Sequence, residues 1–122
     1  MSGKKTWYIV DGYRPEPHAT EESPYVGHES FMLLNVNPVD AHVLIDIFYE
    51  DKEPVENIPL TIPARRIKSF RSSDKSFLKV DLKVNEQYSM RIRSDIGIVV
   101  QYGRLDVTQP NMAFLATLGH AE

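Results

Sequence analysis

The chain has no cysteine, which removes disulfides, thiol nucleophiles, Cys-ligated zinc and iron–sulfur clusters from consideration and suits a reducing cytoplasm. It also lacks long apolar runs, and nowhere approaches the roughly 20 residues that span a bilayer as a helix. The N-terminal "MSGKKTWYIVDGY" has an apolar run too short for a signal peptide, cut off by Asp11 and Gly12. There is no excess of positive charge: the net charge of −3 and a pI near 5.8 argue against a general nucleic-acid footprint. The local run of Arg65, Arg66, Lys68 and Arg71 reads as a solvated strand edge. Glycine is sparse, and its six copies are too scattered for a phosphate-cradling loop. These absences predict a soluble cytoplasmic protein.

What remains is one domain's length, 122 residues, rich in strand signals. "TWYIV" is aromatic and β-branched and is ended by "DGY". "ESFMLLNV" and "AHVLIDIFY" follow, separated by the turn chemistry of "NPVD". In the latter, Val43, Ile45, Ile47 and Tyr49 form an apolar face, whereas His42, Leu44, Asp46 and Phe48 form a mixed one. "IPLTIPARRIKSFR" reads as two short strands, because Pro59 and Pro63 cannot donate to a ladder. "SFLKVDLKV" alternates as a strand should, with Leu78, Val80, Leu82 and Val84 on one side. "EQYSMRIRSD" alternates too, and "GIVVQYGRLDV" begins as a central strand. The tail "NMAFLATLGHAE" is compatible with a strand or a short helix. "RPEPHATEESPYVG" is the one long irregular stretch. With no crossover helices, the pattern predicts an all-β, antiparallel, jelly-roll-like β-sandwich in a single domain spanning 1–122.

The neighbouring arginines of "PARRIKSFR" raise the question of which one turns inward. By alternation Arg66 shares a face with Lys68, so Arg65 is expected inside with Ile67, paired with Asp51, Asp95 or Asp106. In "QYGRLD", Tyr102, Arg104 and Asp106 share one strand face and offer a flat surface, a fork donor and an acceptor. That set suits a polyhydroxylated or carboxylated small molecule, and equally an Arg104–Asp106 pair that props a strand end or crosses a subunit interface. His18, His28, His42 and His120 show no metal-ligand spacing, and no metal or cofactor is expected. There is no G-x-S-x-G elbow, and carboxylate pairs are too common here to signal hydrolysis.

The segments "GHES", "AHVLIDIFYEDKEPVENIPLTIPARR" and "GIVVQYGRLD" together resemble the sensory rhodopsin transducer family from about Trp7 to the tail. The most specific pieces are "DKEP", "PARR" and "VVQ" followed by "RLD". The resemblance implies a small jelly-roll-like sandwich that assembles as a homotetramer, with a founding member that partners a membrane-bound light sensor. It also implies kinship with carbohydrate-binding sandwiches. The candidate positions it carries over are His28, Glu29, His42, Asp51, Lys52, Arg65, Arg66, Gln101, Arg104 and Asp106, to which the strand pattern adds Tyr102. The chain departs from the family where "QYGRLD" stands for an expected "QHTRLD", and where "KSF" lacks a histidine beside Lys68.

Three functions follow as expectations. The first is a non-enzymatic module binding a sugar or sugar acid through Tyr102, Arg104, Asp106 and one of Arg65 and Arg66, with Trp7 or Tyr13 as a stacking face. The second is an adaptor that docks on a membrane receptor. The third is an unrecognised sugar-processing enzyme. Strands that are apolar on both faces, as in "FMLL" and "GIVVQYG", predict self-association, because one core cannot use all that surface.

Overall fold

The computed structural model describes residues 2–17, 25–108 and 112–122, so His18 lies outside the described residues. The strands are β1 (Lys4–Tyr13), β2 (His28–Asn35), β3 (Ala41–Tyr49), β4 (Val55–Ile62), β5 (Arg66–Arg71), β6 (Gln87–Asp106), β7 (Ala113–Leu118) and β8 (His120–Ala121). A single helical turn, α1 (Lys75–Leu78), precedes β6. Every pairing is antiparallel, as expected for a β-sandwich. One sheet runs β4-β3-β6-β1-β8, and the other runs β5-β2-β6-β7.

Both sheets share β6. Its first half pairs with β3 as far as Val43↔Ser94, and its second half pairs with β2 from Leu34↔Val99 onward. At the corner, Lys4 opposes Ile98 while Thr6 opposes Arg93, so β6 takes five steps where β1 takes two. Inserting residues at such a point bends a strand from one sheet into the next. Gly97 sits there because a Cβ would lie 2.6 Å from the carbonyl oxygens of both Ser2 and Gly3. Asn37 fastens the corner by donating its amide to the oxygens of Gly97 at 2.7 Å and Ser2 at 3.2 Å.

Between the sheets lies the core. Val43, Ile45 and Ile47 of β3 are buried on the face the alternation predicts, and Tyr88, Met90, Ile92, Ile98, Val100 and Tyr102 keep one parity along β6. Phe31 is fully buried, with its ring 5.4 Å from Phe70 and 5.5 Å from Tyr102. Trp7 donates its indole N–H to the carbonyls of Lys4 and Ile98 at 3.0 and 3.1 Å, so this ring is a core residue and not an exposed stacking face.

Two local expectations fail. "SFLKVDLKV" is not a strand: Asp74 accepts from the Ser76 N–H at 3.0 Å and its hydroxyl at 2.6 Å, starting α1, and Lys79 ends it at φ 61°. Leu78 and Leu82 are still buried, so hydrophobic spacing was read correctly while capping chemistry chose the backbone. Arg65 is not inward: it occupies a turn at φ 55°, donates its N–H to the Asn37 carbonyl at 3.1 Å and exposes its side chain. Extended alternation is interrupted at Pro63–Arg65 and restarts at Arg66, which is also exposed, and it leads inward only at Phe70. The tail resolves as strands β7 and β8.

Candidate functional site

The sequence-derived candidates divide among several surfaces. Glu29, Tyr102 and Arg104 meet where β2 crosses β6, with Glu29 directly opposite Arg104. His28 and Gln101 face outward from the same sheet, His42 lies on the outer face of the other, and Asp51 and Lys52 sit in the β3–β4 turn. Lys52 pairs with Glu86 at 3.2 Å and lies over the Tyr49 ring. Arg65 is in the turn between β4 and β5, and Arg66 begins β5.

Glu29 is fully buried and acts as a tie between sheets. Its Oε1 accepts from the Tyr88 hydroxyl, and its Oε2 accepts from the Tyr102 hydroxyl at 2.5 Å and the Tyr13 N–H at 3.0 Å. One carboxyl group therefore joins β1, β2 and both halves of β6. Gly12 makes room for this, since a Cβ there would come within 2.5 Å of the Tyr88 ring. Burial, and then the adjacent Glu29 charge, push the Tyr88 and Tyr102 phenols well above their usual 10. Tyr102 is thus committed inside the sandwich and offers no open ligand surface.

Arg104 and Asp106 of "QYGRLD" are also engaged. Arg104 pairs with Asp11 at 3.5 Å and lies over the Tyr13 ring, so the expected Arg104–Asp106 pair gives way to one with β1. Asp106 instead accepts from the Thr108 N–H at 2.9 Å and its hydroxyl at 2.7 Å. Those two bonds hold its carboxyl below the usual range.

The polar cluster that sequence reasoning missed is on the outer face of the first sheet. Asp46, fully buried, accepts from Arg91 Nε at 2.7 Å, Arg93 Nη2 at 3.0 Å and the Asn57 N–H at 2.8 Å. Burial pushes the Asp46 carboxyl up, but the Asn57 N–H and the two guanidiniums outweigh it and hold the group below 3.8. The available signal was parity: Asp46 on the mixed face of β3, opposite an Arg-x-Arg pair on β6. Alongside it lies a groove of about 500 Å³ walled by Leu44, Pro59, His42, Thr61 and Arg93. Among the described residues no group of three His, Asp or Glu side chains is placed to hold a metal.

The outer face of the second sheet carries exposed apolar side chains among polar ones such as His28 and Gln101. Leu34 lies between Ile67 and Val99, and Leu105 lies beside Phe114. Ile67 is 58% exposed, Phe114 66% and Leu118 61%, and β7 is exposed along its whole length. Side chains of this kind in one sheet face form a surface suited to a protein partner.

No curated protein sequence matches. The fold is similar to the crystal structure of Thermotoga maritima 1070, with a TM-score of 0.85 and 26% identity over 100% of this chain and 97% of the other. It is also similar to the Anabaena sensory rhodopsin transducer, with a TM-score of 0.70 and 37% identity over 83% of this chain and 96% of that one. The family model described as Anabaena sensory rhodopsin transducer matches residues 2–121. With nearly its whole length matched and its sandwich shared, this chain belongs to the Anabaena sensory rhodopsin transducer family.

Proposed function

We propose that this protein is a signalling adaptor that works in the cytoplasm as a homotetramer and docks on a membrane photoreceptor. The observation that carries the reading is the family match over residues 2–121, reinforced by the likeness to a sensory rhodopsin transducer at 37% identity. The geometry agrees with it in two respects. Three of the candidate polar residues, Glu29, Tyr102 and Arg104, are engaged in fastening strands to one another. The exposed apolar side chains on the outer face of β5, β2, β6 and β7, Ile67, Leu34, Phe114 and Leu118, meanwhile present the kind of surface that symmetric copies bury against each other. A stable interface of this sort removes about 800 Å² from each partner.

The test is a titration of a sensory rhodopsin in lipid nanodiscs with the protein, in darkness and under illumination. Saturable binding in at least one state is expected, with an affinity that differs between the two. No binding in either state overturns the photoreceptor as partner.

A further inference from the structure

The groove beside Asp46 has a composition that the adaptor reading does not use. Its lining combines Val43, Leu44, Pro59 and Leu60 with five polar residues, His42, Thr61, Arg93, Ser94 and Asp95. Pockets that take small ligands combine an apolar lining with a few placed polar groups, in volumes of about 300–1,000 Å³. At about 500 Å³ this groove falls in that range.

The polar groups are not equivalent. Asp95 is occupied at one end, accepting the His42 N–H at 2.8 Å. Arg93 is only partly occupied: its Nη2 bonds Asp46 and Asn57, while its Nε is covered and without a partner. A guanidinium is built to meet a planar acid with two parallel N–H groups, and here just one of its nitrogens is used among the described residues. Arg91 and Arg93 share the single carboxylate of Asp46, and Asp95 in the same lining makes no ion pair with either. The Arg93 side chain as a whole is 38% exposed, so an acid in the groove can approach it.

We propose that this groove binds a small amphiphilic carboxylate, its acid group on Arg93 and its aliphatic body against Leu44 and Pro59. The proposal is independent of the receptor reading. Leu44 supplies the decisive variant, because it stands directly opposite Arg93 in the β3–β6 register and is itself partly exposed. Leu44→Glu places a carboxylate beside Arg93 from within the chain and competes with any acid from outside.

The experiment is an amide-resolved NMR titration with hexanoate, hexylamine and hexanol. Hexanoate should shift the amides of 42–44, 60–61 and 93–95 saturably, whereas hexylamine should leave them unmoved and hexanol should bind about tenfold more weakly or less. In Leu44→Glu the hexanoate response should fall at least about tenfold while amides far from the groove keep their positions. Arg93→Gln should give the same loss by removing the acceptor's partner, and either variant that retains the native spectrum serves. No saturable hexanoate shift, equal response to all three probes, or undiminished binding in a folded variant would each overturn the proposal.

Discussion

At the scale of single residues, two buried carboxyl groups organise the molecule. Glu29 satisfies two phenols and a backbone N–H, each of which would be orphaned by Glu29→Ala. A buried donor left unsatisfied costs about 1–3 kcal/mol, so urea denaturation of this variant should show a loss of about 4 kcal/mol. The same cluster predicts a basic limit to stability. Tyr88 and Tyr102 have folded pKa values raised above 10, so their stabilising contribution is complete below pH 10 and is lost as pH rises above it, where only the unfolded chain ionises. Unfolding free energy measured between pH 9 and 11.5 should fall beyond pH 10 by about 1.4 kcal/mol per pH unit for each tyrosine, and Tyr102→Phe should halve that slope.

Asp46 predicts the acidic limit. Its folded pKa is depressed below 3.8, so its contribution is present above that value and disappears as pH falls through the folded pKa. In Asp46→Asn the acid transition below about pH 4 should become shallower, while stability at pH 7 drops because Arg91 and Arg93 lose their shared acceptor. Thermal melts at pH 3, 4 and 7 separate the two effects. A variant with an unchanged acid limb would show that other carboxyl groups set it.

At the scale of elements, β6 decides the architecture. Its corner depends on Gly97, where added bulk meets backbone oxygens that have no freedom to withdraw. Gly97→Ala should therefore cost about 1–3 kcal/mol, the usual range for overpacking, and its melting temperature should fall accordingly. The strands themselves were legible in the sequence wherever alternation was strict, as in β3 and the first half of β6. Alternation misled at 76–84, where Leu78 and Leu82 are inward but a capped turn and irregular chain carry them. Hydrophobic spacing reports which side chains are buried; it does not report the backbone path when Asp74 offers its own hydrogen bonds.

At the scale of the whole molecule, the outer face of the second sheet exposes large apolar side chains. Phe114 and Leu118 on β7 and Ile67 on β5 are too exposed to contribute to the core of one chain. If copies associate through this face, as proposed, Phe114→Asp should shift sedimentation at micromolar concentration toward the monomer without changing the far-ultraviolet spectrum. Equal sedimentation of variant and parent would move the interface elsewhere.

The sequence alone determined the fold class, the inward faces of β3 and β6 and the family, because these depend on residue patterns that repeat locally or match in order along the chain. It also marked Glu29, Tyr102 and Arg104 as important. It did not determine their role. Tyr102 was read as part of a ligand surface, yet the sandwich closes over it and gives its hydroxyl to Glu29. "EQYSMRIRSD" shows only alternation in the sequence, with no partner indicated for Tyr88, Arg91 or Arg93. Their meeting with Glu29 and Asp46 required the register of β2 and β3 against β6, which joins residues 45 to 73 positions apart. Local alternation fixes a side of the sheet; only tertiary pairing decides which charge stands on that side to meet it.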